Sequence, residues 1–257
     1  MMIRYIPADP AGNLTAIVLS PVAAQDRAKI AAEMMARCPE GFEQVGFADE
    51  TSLTGDLPTL CMMVGEFCGN ATRAFACYAA KVRGRGETRL AISVSGAREP
   101  VPVAVDLRQN RAYAQMPLPY ALEWISVNKQ KIPLVRMEGI DHALLLDAAP
   151  SPEAAERVLA AMPKQDARGV LFVQGGKMTP LVEVAATGTR VWESSCGSGT
   201  VALAWYLAQN LADGMHAFAF DEPGGRLEAR VAMRAGRAAQ IGMGGAVKLG
   251  KEAEIEL

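Results

Sequence analysis

One stretch of this chain is written twice, and the repetition narrows what the chain can fold into. Residues 68–80 read Cys-Gly-Asn-Ala-Thr-Arg-Ala-Phe-Ala-Cys-Tyr-Ala-Ala, and residues 196–208 read Cys-Gly-Ser-Gly-Thr-Val-Ala-Leu-Ala-Trp-Tyr-Leu-Ala. Aligned without gaps, they share Cys, Gly, Thr, two Ala, Tyr and a final Ala. A glutamate lies just upstream of each copy, Glu66 and Glu193. Both copies open polar and glycine-rich, then turn apolar and small. That is the pattern of a helix packed closely within a core.

The flanking sequence repeats as well. Residues 13–20 read as a strand, followed by helical spacing over 23–37. In the second half, residues 143–147 read as a strand. Ser151-Pro152-Glu153 then supplies an N-cap, a proline at the first helical position and an acid in the first turn, with the helix running to Met162. After each cysteine motif the pattern turns to strands. Residues 89–95 alternate, and 101–107 with 111–116 predict a hairpin. Residues 217–220 match the first of these, and 226–233 with 238–243 match the second. The expected fold class is α+β, with two pseudo-symmetric halves. The first half spans 1–118, completed by a final strand in 250–257, and the second spans 119–249. Pro117, Pro119 and Pro133 predict an irregular crossing over 117–131.

Bulk composition excludes several classes. A net charge of −2 and the absence of a Lys/Arg block give no footprint for nucleic acid. No apolar run reaches the roughly eighteen residues of a membrane span, and the N-terminal residues lead into a strand rather than a signal peptide. Five cysteines are an odd number without Cys-x-x-Cys spacing, and there are two histidines. Disulfide scaffolding and structural zinc are therefore not expected, no metal site is assigned, and a reducing cytoplasm fits. Gln174-Gly175-Gly176-Lys177 lacks the phosphate-loop pattern and predicts a turn.

The chemistry follows from where the repeated cysteines fall. A cysteine at a helix start meets unpaired backbone N–H groups and the positive end of the helix dipole. That setting is expected to lower the thiol pKa toward neutrality, where a thiol can take or give a proton. The same N–H groups can bind a carboxylate. Two such starts, contributed by Cys68-Gly69-Asn70 and Cys196-Gly197-Ser198, would place one sulfur on each side of a carbon next to a carboxylate. One sulfur would remove the α-hydrogen and the other would return a proton, inverting the centre. Such a scheme needs no cofactor. The plainer reading of a cysteine is a small buried residue. It serves for Cys38, Cys61 and Cys77, but it does not explain thiols at two matched helix starts.

At these residues the chain resembles the diaminopimelate epimerase family of cofactor-independent, two-cysteine amino-acid racemases and epimerases, along its whole length. The most specific parts are Cys68-Gly69-Asn70 and Cys196-Gly197-Ser198-Gly199, with Arg73 closing the first motif. The resemblance implies a mixed or antiparallel sheet wrapped around a central helix in each half. It also implies an amino-acid substrate and a homodimer. It places Asn13 of Gly12-Asn13 on the substrate, Glu193 on the α-ammonium and His142 near the site. The chain departs from diaminopimelate epimerases before the second cysteine. Trp192-Glu193-Ser194-Ser195-Cys196 is short and lacks the substrate-binding arginine, and Ile140 replaces the asparagine of Gly-Asn-Pro-His. The readers of a second amino-acid head are thus missing.

Within the family, both motifs and Glu43-Gln44-Val45-Gly46-Phe47 resemble the histidine racemases of staphylopine-type opine metallophore pathways, in which a glutamate at the position of Glu43 matters. The implied reaction is L-histidine to D-histidine without pyridoxal phosphate. Other readings are diaminopimelate epimerase, a racemase of another amino acid, and a phenazine-type isomerase. Cys196-Gly197-Ser198-Gly199 and Asn70 depart from the phenazine-type motifs. Residue types alone leave Glu43 open to a solvated role, Asn13 to turn chemistry, His142 to a structural one and Glu66 to a helix-start charge.

Overall fold

The computed structural model describes residues 1–185 and 188–257. The chain opens with β1 (Met2–Asp9) and β2 (Thr15–Val18), then α1 (Arg27–Arg37), β3 (Gln44–Asp49), β4 (Thr59–Met62) and α2 (Gly69–Val82). Three strands follow: β5 (Glu87–Val94), β6 (Val101–Asp106) and β7 (Arg111–Met116). Next come β8 (Ala121–Val127), β9 (Gln130–Arg136), β10 (Ile140–Leu146), α3 (Pro152–Ala161), β11 (Ala167–Gln174), β12 (Lys177–Val184) and β13 (Thr189–Trp192). The chain ends with α4 (Gly197–Ala208), β14 (Gly214–Glu222), β15 (Gly225–Arg234), β16 (Arg237–Ala246), β17 (Lys248–Leu249) and β18 (Ala253–Glu256).

Two compact units result: Met1–Gln115 with Gly244–Leu257, and Met116–Met243. The boundaries differ from those read in the sequence. The chain re-enters the first unit at Gly244, inside β16, so the change of unit falls within a continuous strand and not at a loop.

Strand pairing shows that the repetition is structural. In the first unit β1 is antiparallel to β2, β2 parallel to β3, β3 antiparallel to β4, β4 parallel to β5 and β5 antiparallel to β6. In the second unit β9 is antiparallel to β10, β10 parallel to β11, β11 antiparallel to β12, β12 parallel to β14 and β14 antiparallel to β15. Each parallel step is the one that a helix spans, because parallel neighbours need a long crossover. Even the flanking strand is matched: β18 lies antiparallel on β1, and β8 lies antiparallel on β9.

Strand β8 falsifies the irregular crossing expected over 117–131. Pro117 and Pro119 lie ahead of it, while Pro133 sits inside β9 opposite Trp124. The link between β8 and β9 is Asn128-Lys129, with φ of 50° and 67°. Two positive φ values give the twist that suits a two-residue hairpin, but Asn-Lys lacks the glycine that advertises one.

Each unit has a buried central helix and an amphipathic outer one. Eleven of the fourteen α2 residues are buried, so this helix has no solvent face. Ala71, Ala74, Phe75, Ala76, Ala79 and Ala80 pack with Ile17, Leu60, Met62, Ile92, Val103, Val105 and Ala112 from β2 and from β4 to β7. Alanine dominates because the enclosing strands leave little room for side chains. Helix α4 likewise buries Thr200, Val201, Ala202, Leu203, Ala204 and Ala208. Outside, α1 buries only Ala31 and Met34, and α3 buries Ala155, Val158 and Leu159. The α3 start follows its sequence signals, with Ser151 Oγ accepting from the Ala154 N–H at 3.2 Å and Pro152 in the first turn.

Phe75 is a large apolar side chain in an alanine-rich helix and is fully enclosed. Phe75→Ala is expected to destabilise the protein by about 3–5 kcal/mol, as buried aromatic deletions do. Urea denaturation measures it, and a loss below about 1 kcal/mol would show that this core collapses around the gap.

Candidate active site

In the first unit, strand register collects the candidate residues at one end of the sheet. Parallel β2 and β3 start side by side, with Thr15 opposite Gln44, so Asn13 and Glu43 both lie just before a strand start. β4 runs the other way, and its last residue, Met62, faces Gly46 near that same end. The chain then passes through residues 63–67 to Cys68. Asn13 is buried, and its Nδ2 donates to Glu43 Oε2 at 2.9 Å. That bond fixes the amide so that Oδ1 is the remaining acceptor, and Oδ1 is buried without a hydrogen-bond partner.

Cys68 is the N-cap of α2, with extended backbone (φ −128°, ψ 111°). Its Sγ accepts from the Ala71 N–H at 3.5 Å, and Thr72 donates its hydroxyl to the Cys68 carbonyl at 2.7 Å. Gly69 and Asn70 form the first turn. Arg73 is fully buried and donates Nη2 to Asn70 Oδ1 at 2.8 Å and Nη1 to the Gly245 carbonyl at 3.2 Å. The Asn70 amide is therefore oriented with its oxygen toward Arg73 and its NH2 the other way. Glu66 is not a helix-start charge. Its carboxylate accepts from the Val64 N–H at 3.0 Å in the preceding loop, and burial raises its pKa.

The second unit reaches its cysteine by a different route. β13 folds back along β12, with Trp192 opposite Leu181, and the Glu193 N–H bonds the Pro180 carbonyl at 3.0 Å. Cys196 then caps α4 with the same extended backbone (φ −122°, ψ 103°). Its sulfur takes no N–H of the first turn and lies 3.5 Å from Ser198 Oγ. Ser198 Oγ is 2.9 Å from His142 Nε2. Thiol, hydroxyl and imidazole thus stand in line. Gly199 permits this, since a Cβ there would sit 3.2 Å from the sulfur and 2.9 Å from Leu171.

His142 is completely enclosed on β10, opposite Gly169 of β11, and a Cβ at Gly169 would occupy the space of the imidazole. Nδ1 has no hydrogen-bond partner. Burial pushes the imidazole pKa down to about 3, so the ring is neutral.

The expectation of a lowered thiol pKa fails at Cys196. The residue is 4% exposed, and its pKa is raised well above the ordinary value. Burial is the main cause, followed by the negative charges of Glu193 and Glu222, which outweigh the hydrogen bond from Ser198. The helix-start argument counts the dipole but not what else the fold brings to it. Glu222 was missed altogether. It precedes Pro223-Gly224-Gly225, and a residue beside such a turn reads as hairpin chemistry. No local signal reveals that its carboxylate reaches α4. Cys77, by contrast, is the inert kind of thiol, pushed up to about 12 by burial.

With this geometry in view, comparison with known proteins is informative. The family model for the histidine racemase CntK N-terminal domain matches residues 2–255. A histidine racemase of Fusobacterium nucleatum is 31% identical over 221 residues, covering 80% of this chain and 81% of that protein. A histidine racemase of Staphylococcus aureus (strain Mu50) is 25% identical over 239 residues, covering 88% and 87%. Among solved structures, a Bacillus anthracis protein of the PhzF phenazine-biosynthesis family aligns over 100% of both chains with a TM-score of 0.69 and 15% identity. A hydroxyproline epimerase from Agrobacterium vitis aligns over 99% of this chain and 92% of its own, with a TM-score of 0.66 and 13% identity.

The fold is thus of the diaminopimelate epimerase type, and the chain is an isomerase of the racemase and epimerase class. It belongs to the family defined by the histidine racemase CntK N-terminal domain. No helix among the described residues is long and apolar enough to cross a membrane.

His142 gives the site a pH signature in stability. Its folded pKa of about 3 lies below the ordinary 6.5, so its contribution is complete above pH 6.5 and is lost as the pH falls toward 3. His142→Gln should flatten that limb of urea midpoint against pH. Parallel limbs in wild type and variant would show that the ring is not held neutral.

Proposed function

We propose that this chain is a histidine racemase that interconverts L- and D-histidine through Cys68 and Cys196, without pyridoxal phosphate. The observation that carries the reading is that each unit brings one cysteine to the N-cap of its buried helix. The family match over residues 2–255 and the histidine racemases among the relatives support the substrate.

In this reading one sulfur, as thiolate, takes the α-hydrogen while the other, as thiol, donates a proton to the opposite face of the same carbon. The first sulfur ends protonated and the second ends as thiolate, ready for the reverse reaction. Cys196, held as a thiol, donates in the L-to-D direction and Cys68 abstracts. Backbone N–H groups at Gly69-Asn70 and Gly197-Ser198 bind the substrate carboxylate and stabilise the charge that spreads onto it as the α-proton leaves. Glu193 takes the α-ammonium. Asn13 Oδ1, a buried acceptor whose own amide group is committed to Glu43, takes a substrate N–H, and Glu43 fixes its orientation. His142 acts on the site through Ser198. The product would feed an enzyme that condenses D-histidine into a metal-binding metabolite.

In heavy water, L-histidine incubated with the protein should gain deuterium at the α-carbon without added cofactor. Cys68→Ser and Cys196→Ser should each lower kcat/KM by about 10²–10⁴-fold, the usual contribution of acid–base groups. Chiral chromatography checks both. Undiminished turnover in either variant would overturn the two-thiol scheme. Racemisation of other amino acids but not histidine would overturn the substrate.

A further inference from the structure

The two cysteine starts share sequence and backbone, yet the chain fastens them differently. In each unit, the strand that follows the central helix ends in a turn, and the residue at that turn anchors the segment before the cysteine. In the first unit the anchor is neutral: Ser95 Oγ donates to the Glu66 carbonyl at 3.0 Å and accepts from the Met62 N–H at 2.8 Å. In the second unit the Gly224 N–H donates to the Ser194 carbonyl at 2.7 Å, and the anchoring side chain is a carboxylate. Glu222 Oε2 accepts from the Cys196 N–H at 2.6 Å, and Glu222 Oε1 accepts from the Thr200 hydroxyl at 2.6 Å.

The hydrogen bonds assign the state of this acid. Both of its oxygens face donors, which suits the ionised form. Thr200 has one hydroxyl hydrogen and two acceptors in reach, Glu222 at 2.6 Å and the Cys196 carbonyl at 2.9 Å. The carbonyl also takes the Thr200 N–H at 2.9 Å, and the shorter contact, to Glu222, is the one that suits a hydroxyl donating to a carboxylate. Glu222 is 7% exposed. Few waters screen its charge, and it is bonded to the backbone of the residue that carries the sulfur.

Resting on the racemase reading above, we propose that Glu222 is a positioning residue of the reaction: from the β14–β15 turn it holds Cys196 at the head of α4 and makes this cysteine the hydrogen-carrying member of the thiol pair. The groups of the second unit that bear on the sulfur are Glu193, Glu222 and Ser198, with neutral His142 behind Ser198. Both carboxylates disfavour a second negative charge at the sulfur. The first-unit anchor, Ser95, supplies no such charge to Cys68. A buried carboxylate in place of a hydroxyl therefore adds to burial and Glu193 in making two copies of one motif chemically unequal. That inequality is useful, because a two-base racemase needs one protonated and one deprotonated group before substrate arrives.

The test is a titration of the cysteine Cβ signals by carbon NMR in ¹³C-cysteine-labelled protein, with Cys196 assigned from the Cys196→Ser variant. Alongside it, kcat/KM is measured against pH in both directions. Glu222→Gln keeps an oxygen for the Cys196 N–H but removes the charge. It should lower the Cys196 midpoint by about one pH unit or more and move the alkaline limb of the L-to-D profile down equally. Glu222→Asp, which keeps the charge, should leave the midpoint near the wild-type value. Thr200→Val, which removes a hydrogen bond but no charge, should not reproduce the Gln shift. An unmoved midpoint in folded Glu222→Gln protein, or an equal downward shift in Thr200→Val, would overturn the proposal. If Glu222→Gln does not fold, the wild-type titration decides, and a Cys196 midpoint at or below the ordinary thiol range would also overturn it. Absence of histidine turnover would defeat the racemase reading while leaving the thiol titration intact, so the two failures are separable.

Discussion

The close approach of sheet to helix in each unit is the constraint on which the rest depends. α2 and α4 can be enclosed because their inward positions are Ala, Gly and Thr, with few larger side chains such as Phe75 and Leu203. Enclosure settles where the first turn of each helix points and leaves no freedom in its backbone. At Cys196 the same enclosure keeps water from the sulfur. Charge effects there are strong, and their sign follows whichever side chains the neighbouring strands deliver. Cys196 shows the outcome: dipole and position alone favour a thiolate, while burial and two acids favour a thiol.

Much of the architecture was legible in the sequence, for reasons particular residues make clear. Ser151-Pro152-Glu153 sets the α3 start through contacts within a few residues, and the motif copies mark both central helices by composition alone. Asn13 and Glu43, both singled out in the sequence though distant along it, are joined by one hydrogen bond. What stayed hidden was set by partners far along the chain. β8 is a strand because β9 lies beside it, whatever Pro117 and Pro119 suggest locally. Glu222 reads as a turn residue, and only the folded hairpin carries it to Cys196, 26 residues away in sequence. His142 is neutral because Gly169 leaves room for the ring and the strands around it exclude water.

The two halves are thus alike in topology and unlike in chemistry. Pairing direction follows the same order in both units, and each cysteine caps its helix with nearly the same backbone angles. Side-chain wiring diverges at once. Cys68 turns its sulfur to an N–H of its own helix, whereas Cys196 turns its sulfur to Ser198. Ala71 and Gly199 occupy matching positions in the motif, and the missing methyl at Gly199 is part of what lets the second sulfur lie where it does. Symmetric scaffolding thus carries asymmetric wiring.

The flanking strands have a consequence for how the molecule is made. β8 lies directly before β9 and joins it through a two-residue turn, so that edge can form as soon as both strands exist. The matching edge of the first unit is supplied by β18, from the opposite end of the chain. During synthesis from the N-terminus, β1 must wait with one side unpaired until the whole second unit has emerged. The first unit to be translated is therefore the last to be completed. Its exposed β1 edge is where an assisting chaperone would have most to protect.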